Sequence, residues 1–349
     1  MRAVSNIKKI AIPVIAIIFA LILGAIIISL CGYSYVDAYR ALYQGSFSDS
    51  THLFETLVKA TPLMFTALSY AIASKCGIIN LGAEGQLYIG ALFATVVGTC
   101  EFGLPMPFHL AMVLAAAFLG GGLYGMLAMW MKNRFGASEL ITTIMLNYIA
   151  ILFVSYCVTG PLKDADTTFT QSKKIVDTAT LPALGGSQLH FGFLLAVLFL
   201  VLYYLFLNKT VKGYQMRVVG KSYDAARYAG IDYKKSSMLA MFLAGGVAGL
   251  AGSCEILGVQ GKLVQNFSAN LGFDGIAVAL LGGENPIGMF FSGILFGGLQ
   301  AGANKMQMLA NVPSAVVNII QATIILMIAG RQIVSVAGQR IRRDKGGVL

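Results

Sequence analysis

Residues 213–252 read GYQMRVVGKSYDAARYAGIDYKKSSMLAMFLAGGVAGLAG, and the character of the chain changes halfway along them. The first half is polar and basic, whereas the second half is apolar and rich in small residues. Gly245 and Gly249 lie four positions apart, a spacing that lets membrane helices pack closely. The pattern therefore predicts a polar segment that leads directly into a tightly packed membrane helix.

The polar half contains a segment, from Ser222 to Ala229, with the marks of an isolated two-turn helix. Ser222 can cap the first amides, Asp224 lies in the first turn where the helix dipole favours an anion, and Gly230 can supply a left-handed stop. Two interpretations are open at this point: a docking element connected to a moving bundle, or an ordinary basic loop. ATP binding is not predicted here, because Gln215 stands where a P-loop requires glycine.

The composition indicates the class of protein. Hydrophobic residues make up 57% of the 349 residues and charged residues 11%. Apolar runs of about 20 residues recur, which is typical of a polytopic helical membrane protein. The first run, residues 10–30, is too long for the apolar core of a signal peptide, so it is predicted to be a membrane helix. The five cysteines are scattered, which indicates neither a disulfide framework nor a metal site.

The expected architecture is an all-α polytopic membrane protein with about ten transmembrane helices. The apolar segments cover residues 10–31, 56–74, 78–98, 108–130, 139–160, 190–208, 237–258, 272–283, 287–303 and 313–330. With the N-terminus inside, most of the 25 lysines and arginines fall on cytoplasmic ends, as the positive-inside rule requires. Both termini and the loop 209–236 are then cytoplasmic. The net charge of +10 is explained by this topology and requires no nucleic-acid partner.

The connections between these segments are too short for a second globular domain, so residues 1–349 are expected to form a single transmembrane domain. The longest extracytoplasmic loop, 161–189, contains Pro161, Pro182 and the pair Gly185-Gly186, which favour irregular structure. This loop is expected either to receive an extracytoplasmic partner or to be an ordinary solvated loop.

Two stretches place polar residues at helix mouths. Residues 77–91 read GIINLGAEGQLYIGA and residues 281–288 read LGGENPIG. Ionisable residues at membrane depth are costly and usually functional. The candidates for a translocation pathway are Asn80, Glu84, Gln86, Asn147, Asp274, Glu284 and Asn285. The alternative is that the glutamates accept hydrogen bonds from free helix amides, and that Asn147 and Asp274 make packing hydrogen bonds.

Three stretches together resemble a known family. They are residues 77–91, residues 216–232 continuing into 243–252, and residues 272–288, which read GFDGIAVALLGGENPIG. The chain is similar to the permease subunit of bacterial ATP-binding-cassette importers that serve branched-chain amino acids, ribose-type sugars and nucleosides. The NLGAEGQ form, the length of the chain and the extra N-terminal helix at 10–31 most resemble the longer permease of nucleoside importers.

The resemblance implies a non-catalytic subunit that forms half of a translocation pathway for nucleosides, with ribose-type sugars or branched-chain amino acids as alternative solutes. The implied partners are a cytoplasmic ATPase, a second permease and an extracytoplasmic solute-binding lipoprotein, around the bilayer of a bacterial cell membrane. The chain itself needs no cofactor, because ATP is bound by the partner ATPase. The resemblance also makes 222–230 the coupling helix in the ATPase cleft, although Asp224 departs from the proline- or glutamate-like start of many relatives.

The expected coupling residues are Gly220, Ser222, Asp224, Ala225, Ala226, Arg227, Ala229 and Gly230. The three alanines of this coupling helix are expected to form a small-residue surface that fits a groove of the ATPase, with Ala226 facing the cytoplasm. A secondary transporter is less favoured, because the middle regions of the predicted helices are nearly free of the buried charges that such proteins use. The three histidines, His52, His109 and His190, lie in separate segments without the spacing of metal ligands.

Overall fold

The computed structural model describes residues 2–185 and 188–327, with side chains from residue 14 onward. Its helices are α1 (Arg2–Leu30), α2 (Tyr35–Phe47), α3 (Ser50–Lys75), α4 (Ala83–Gly98), α5 (Met106–Phe135), α6 (Glu139–Thr159), α7 (Gly192–Lys209), α8 (Val211–Lys221), α9 (Tyr223–Tyr228), α10 (Tyr233–Glu255), α11 (Leu271–Leu281), α12 (Pro286–Ala310) and α13 (Ala315–Met327). A π-helical turn, Ile256–Gln260, continues α10. These ranges contain three isolated β-bridges and no strand, so the expected all-α class is confirmed for them.

Six of the described helices are long and apolar enough to cross a membrane. They are Ser50–Lys75, Met106–Phe135, Glu139–Thr159, Gly192–Lys209, Tyr233–Gln260 and Pro286–Ala310. Every predicted apolar segment overlaps a helix, although the last, 313–330, extends past the described residues. Helix α11 has only 11 residues, in agreement with the expectation that its segment is too short to span comfortably. Ten crossings and two cytoplasmic termini stay a prediction.

Two helices were not predicted, because both are too polar for a reading based on apolar runs. Helix α2 is capped by Ser34, whose Oγ accepts from the backbone N of Asp37 at 3.3 Å. Helix α8 lies inside the predicted loop and is capped by Thr210, whose Oγ1 accepts from the backbone N of Gly213 at 3.0 Å. In each case a hydroxyl cap satisfies one of the free amides and fixes the start of the helix.

The described chain divides by its packing into two compact units, residues 2–56 with 298–327, and residues 57–297. In the first unit, Ser46 of α2 donates from its Oγ to the carbonyl of Gly298 at 2.6 Å. Tyr39 of α2 donates to the carbonyl of Leu21 in α1. The expectation of one transmembrane domain over residues 1–349 stays a prediction.

The second unit is built around α4, α5 and α10, which pack with their backbones in direct contact. A Cβ added to Gly121 of α5 would lie 2.9 Å from the Cα of Gly249 in α10. A Cβ added to Gly125 would lie 3.2 Å from the Cα of Gly245. The predicted small-residue spacing on α10 therefore does bring two helices together, and no larger side chain fits at the crossing.

Candidate functional site

Helix α9 has the cap and the stop that its sequence predicts. The Oγ of Ser222 accepts from the backbone N of Ala225 at 3.3 Å. At the other end Gly230 has a φ of +69°, and its N–H donates to the carbonyl of Arg227 at 3.0 Å. The N–H of Ile231 donates to the carbonyl of Ala226 at 2.9 Å. These two bonds close the Schellman motif, so the short helix begins and ends within the residues expected.

The expectation for Ala226 is wrong. Its side chain is only 1% exposed, whereas Ala225, Arg227 and Ala229 are exposed. The reason is that α9 contacts α8 and α10, and the face that carries Ala226 is the face turned toward the protein. A small residue is needed at this position for packing within the chain, and the surface open to a partner is formed by the other residues of the helix.

Sequence reasoning missed the most exposed aromatic side chain of this surface. Tyr228, in the last turn of α9, is 94% exposed. Tyrosine is enriched among the residues that carry most of the energy of protein interfaces. Exposed basic residues surround it in the sequence, among them Lys221, Arg227 and Lys234. A tyrosine next to a predicted turn in a polar segment was the signal that could have identified it.

Helix α9 is connected to two of the apolar helices. Its Tyr223 ring packs edge-on against the ring of Tyr233 at the start of α10, with centroids 5.5 Å apart. Gly220, in the last turn of α8 just before α9, lies against the end of α3, because a Cβ added to Gly220 would come within 3 Å of the backbone of Lys75 and Gly77. Displacement of α9 would therefore act on both α10 and α3.

The end of the second unit that carries α9 also contains the ends of α3, α5 and α7 and the starts of α6 and α10. Lys132 at the end of α5 forms an ion pair with Glu139 at the start of α6, with Nζ and Oε2 2.9 Å apart. Asn133 donates to the Oγ of Ser237 in α10 at 3.4 Å. We call this the basic end, after Lys75, Lys132 and the lysines and arginines of α8 and α9.

Four of the predicted pathway residues are buried around the start of α4: Asn80, Glu84, Gln86 and Asn147. Asn80 and Gln86 are joined side chain to side chain, with Asn80 Nδ2 donating to Gln86 Oε1 at 3.0 Å. Asn147 of α6 accepts from the backbone N of Gly85 at 2.8 Å and donates to the carbonyl of Leu81 at 2.7 Å. All these side chains are at most 3% exposed. They hold the non-helical backbone that precedes α4, which is tolerated inside a membrane only against protein or water.

Glu84, in the first turn of α4, belongs to the same region but binds a different helix. Its Oε2 accepts from the backbone N of Gly272, in the first turn of α11, at 2.6 Å. The two helices therefore begin at the same place, and the positive ends of both dipoles face one carboxylate. This contact agrees with the alternative interpretation of the sequence, in which the glutamate accepts a hydrogen bond from a free helix amide. Here the amide belongs to a second helix, α11.

Glu284 lies at the other end of α11. Its Oε1 accepts from the Oγ of Ser74 at 2.6 Å, and its Oε2 pairs with the Nζ of Lys75. The backbone of Glu284 is left-handed, with φ of +55°, and its carbonyl accepts from the Oη of Tyr203 at 3.2 Å. Asn285 is exposed and caps α12. Glu284 thus joins the ends of α3, α7 and α11 at the basic end.

The predicted pathway residues are therefore separated into two places by the 11 residues of α11, about 16 Å at 1.5 Å per residue. Near the start of α11 lie Asn80, Glu84, Gln86 and Asn147, and the partly buried Asp274 is in the first turn of that helix. Glu284 and Asn285 follow the end of α11. A role for any of them in a solute pathway stays a prediction. Within the ranges that the structure describes, no group of His, Cys, Asp and Glu side chains has the arrangement to hold a metal ion.

Residues 161–185, which we call the distal segment, are fastened to the opposite end of the second unit. The N–H of Ser172 donates to the carbonyl of Leu263 at 2.9 Å, and the N–H of Val176 donates to the carbonyl of Gly98 at 3.0 Å. The segment therefore lies on the end of α4 and on the chain that follows α10. Many of its other side chains are exposed, so its surface is open to a partner.

Comparison with known proteins places these features in context. Residues 52–329 match the family described as branched-chain amino acid transport system, permease component. The chain is 39% identical to the guanosine ABC transporter permease protein NupP of Bacillus subtilis, over 93% of this chain and 94% of that protein. It is 34% identical to the nucleoside ABC transporter permease protein NupB of Lactococcus lactis, over 94% and 93% of the two chains. It is 32% identical to the glucose ABC transporter permease protein TsgB13 of Haloferax volcanii, over 90% and 86%. No solved structure gives a significant match.

Proposed function

We propose that this chain, which belongs to the family of permease components of branched-chain amino acid transport systems, is the permease subunit of an ATP-driven importer of nucleosides. In this role it forms half of the translocation pathway and has no catalytic centre of its own. It crosses a bacterial cell membrane several times, with the basic end in the cytoplasm, where the positive-inside rule puts lysine and arginine.

The choice of nucleosides is supported by two similar proteins whose names state guanosine and nucleosides, each aligned over more than nine-tenths of this chain. The similarity to a permease named for glucose makes a sugar the second candidate. The three relatives differ little in identity to this chain, at 39%, 34% and 32%. The solute is therefore a question for a transport assay.

The observation that carries the proposal is the construction of α9. It is capped at both ends, packed through Ala226 onto α8 and α10, and otherwise exposed. A six-residue helix gains little stability from its own hydrogen bonds, so its caps and its contacts with α8 and α10 hold it in place. Its exposed face is then available for docking to another protein. Under this proposal a cytoplasmic ATPase receives α9 in a groove, and ATP-driven closure of the ATPase displaces it.

The displacement reaches the apolar helices by the contacts described above. Tyr223 transmits it to the start of α10 through Tyr233, and Gly220 transmits it to the end of α3. Helix α10 crosses α5 at glycines, where two smooth backbones can slide or rotate without moving large side chains out of a groove. Alternating access then follows from movement of α3 and α10 relative to their neighbours.

The remaining partners follow from the same proposal. A second permease completes the pathway, and an extracytoplasmic lipoprotein captures the nucleoside and docks on the distal segment. Because the lipoprotein selects the solute, the permease itself needs no tight solute site. ATP is bound by the ATPase, so this chain needs no cofactor.

The proposal is tested by uptake in a bacterium that encodes this chain. Deleting the chain should abolish uptake of radiolabelled guanosine, while the lipoprotein still binds guanosine and uptake of glucose and leucine continues. Restoring the chain from a plasmid should restore uptake. Loss of glucose uptake with normal nucleoside uptake would support the sugar alternative instead, and loss of leucine uptake alone would support the amino-acid alternative.

A further inference from the structure

A cationic cavity of about 500 Å³ lies at the basic end, between the ends of α3, α7 and α8 and the start of α12. Lys75, Arg217 and Lys221 line it, together with one carboxylate, that of Glu284. Glu284 pairs with Lys75, which leaves two positive charges in the cavity without a neutralising carboxylate from its lining. The nearby start of α12 adds the positive end of a helix dipole. The cavity is therefore suited to an anion.

Arg217 shows most directly that this cavity is incomplete. Its Nε is buried and has no hydrogen-bond partner among the residues that the structure describes. Its Nη1 makes only a long contact, 3.4 Å, with the Oδ1 of Asn208. A buried donor without an acceptor is unfavourable, and guanidinium groups form their strongest hydrogen bonds with carboxylate and phosphate oxygens. A phosphate in the cavity would supply acceptors to Arg217.

An apolar groove of about 550 Å³ adjoins the cavity and shares Tyr204, Asn285 and Pro286 with it. The groove follows α7 and the first turns of α12, and its other lining residues are aliphatic or aromatic. Two of them, Val201 and Ile287, are 50% and 69% exposed. The two spaces are therefore neighbours, so that one ligand with a charged head and an apolar tail can occupy both.

We infer that this site binds an anionic phospholipid, with the phosphate headgroup beside Arg217 and Lys221 and an acyl chain along α7 and α12. A free phosphate would use the cavity but not the groove, whereas a phospholipid uses both. The assignment also fits the location, because basic pockets between membrane helices on the cytoplasmic side are suited to anionic headgroups. It depends on the chain lying in a membrane and not on which solute is transported.

A bound lipid of this kind would act on α8. Arg217 and Lys221 both belong to α8, and α9 follows immediately after Ser222. The headgroup would therefore hold α8 against the end of α3 and the start of α12, and would in this way fix the position of α9. The expected consequence is that anionic lipid stabilises the arrangement in which α9 is presented to a partner.

The experiment measures lipid binding to the purified full-length chain by native mass spectrometry. Phosphatidylglycerol and phosphatidylcholine with the same acyl chains are the probes, and wild-type protein should retain phosphatidylglycerol preferentially. Arg217→Gln should weaken phosphatidylglycerol binding about fivefold, the amount expected for one basic residue near an anionic headgroup. Lys212→Gln is the matched control, because Lys212 is on the same helix, is exposed and does not line the cavity.

A second pair of variants tests the groove without changing any charge. Val201→Trp should fill the groove and weaken phosphatidylglycerol binding, whereas Leu198→Trp should leave it unchanged. Both residues are 50% exposed on α7, but only Val201 lines the groove. Because both side chains are exposed, neither variant is expected to disturb the core.

Three results would overturn the inference. Equal retention of the two lipids would show that the cationic cavity does not select a headgroup. Full displacement of phosphatidylglycerol by inorganic phosphate, with normal binding to Val201→Trp, would show a site for a free anion. Normal lipid binding by Val201→Trp, together with loss of its association with the second permease, would show that the groove is a protein interface.

Discussion

Under the proposed function, replacing Tyr228 by alanine should sharply weaken the binding of the ATPase. The side chain is 94% exposed in the isolated chain, so almost all of its area is free to be covered by a partner. A tyrosine that becomes buried removes about 150–250 Å² from water, which corresponds to about 4–6 kcal/mol at about 25 cal/mol per Å². Only part of this burial free energy contributes to the affinity of a complex. Alanine substitution of a residue at the centre of an interface costs about 2 kcal/mol or more when that residue carries much of the binding energy.

We therefore expect a loss of about 2–3 kcal/mol, or roughly a 30- to 150-fold increase in Kd. The assay is titration of the ATPase onto the chain reconstituted in nanodiscs. Tyr156→Ala is the matched control, because Tyr156 is 65% exposed but lies in the last turns of α6, at the end of that helix away from Lys132 and Glu139. Thermal unfolding should be the same for both variants.

The reasoning is refuted if Tyr228→Ala binds the ATPase with the wild-type Kd and supports normal uptake. It is also refuted if Tyr228→Ala and the control lose affinity equally. A loss confined to Tyr228→Ala, with Tyr228→Phe retaining most of the affinity, would show that the aromatic ring is what the partner covers.

Three further predictions concern other parts of the molecule. Ala225→Trp should block ATPase binding and leave the unfolding temperature unchanged. Ala226→Trp should lower the unfolding temperature, because overfilling a packed site costs about 1–3 kcal/mol. Equal unfolding temperatures for the two variants would contradict the burial of Ala226. Cysteines placed at Lys173 and Lys235, in a background without the native cysteines, should react with impermeant reagents from opposite sides of the membrane, and reaction of both from one side would exclude the proposed orientation. Burial lowers the pKa of His190 from 6.5 to about 4, so the unfolded chain binds the proton more readily and stability should fall by up to roughly 3 kcal/mol as the pH is lowered from about 6.5 to 4. His190→Gln should flatten this dependence in a thermal-unfolding series, and an unchanged pH profile would show that another group is responsible.

Local rules were enough to predict α9. Its cap at Ser222 and its stop at Gly230 each depend on residues within a few positions, and both have the predicted geometry. Which face of the helix is buried depends on α8 and α10. All three alanines look alike in the sequence, so the burial of Ala226 could only be seen once the neighbouring helices were in place.

The hydrogen-bond and ion-pair partners of the polar residues at helix mouths could not be predicted, because they are distant in the sequence. The sequence marks Glu84 and Glu284 as unusual, because charged residues are rare in apolar segments. Their partners, however, are Gly272 for the first and Ser74 and Lys75 for the second, each about 200 positions away. Helix α2 was missed for a different reason: it is not an apolar run, so hydropathy does not reveal it.

The length of α10 has a consequence for how the two faces of the membrane communicate. With its π-helical turn it runs over 28 residues, from Tyr233 to Gln260, or about 42 Å, more than the roughly 30 Å of a bilayer's hydrocarbon core. One end touches Tyr223, and near the other end the carbonyl of Leu257 accepts from the N–H of Leu181 in the distal segment. Under the proposed function a single rod connects the docking faces of the lipoprotein and the ATPase. A force applied at the distal segment would then reach α9 through one continuous helix, without passing through a loop.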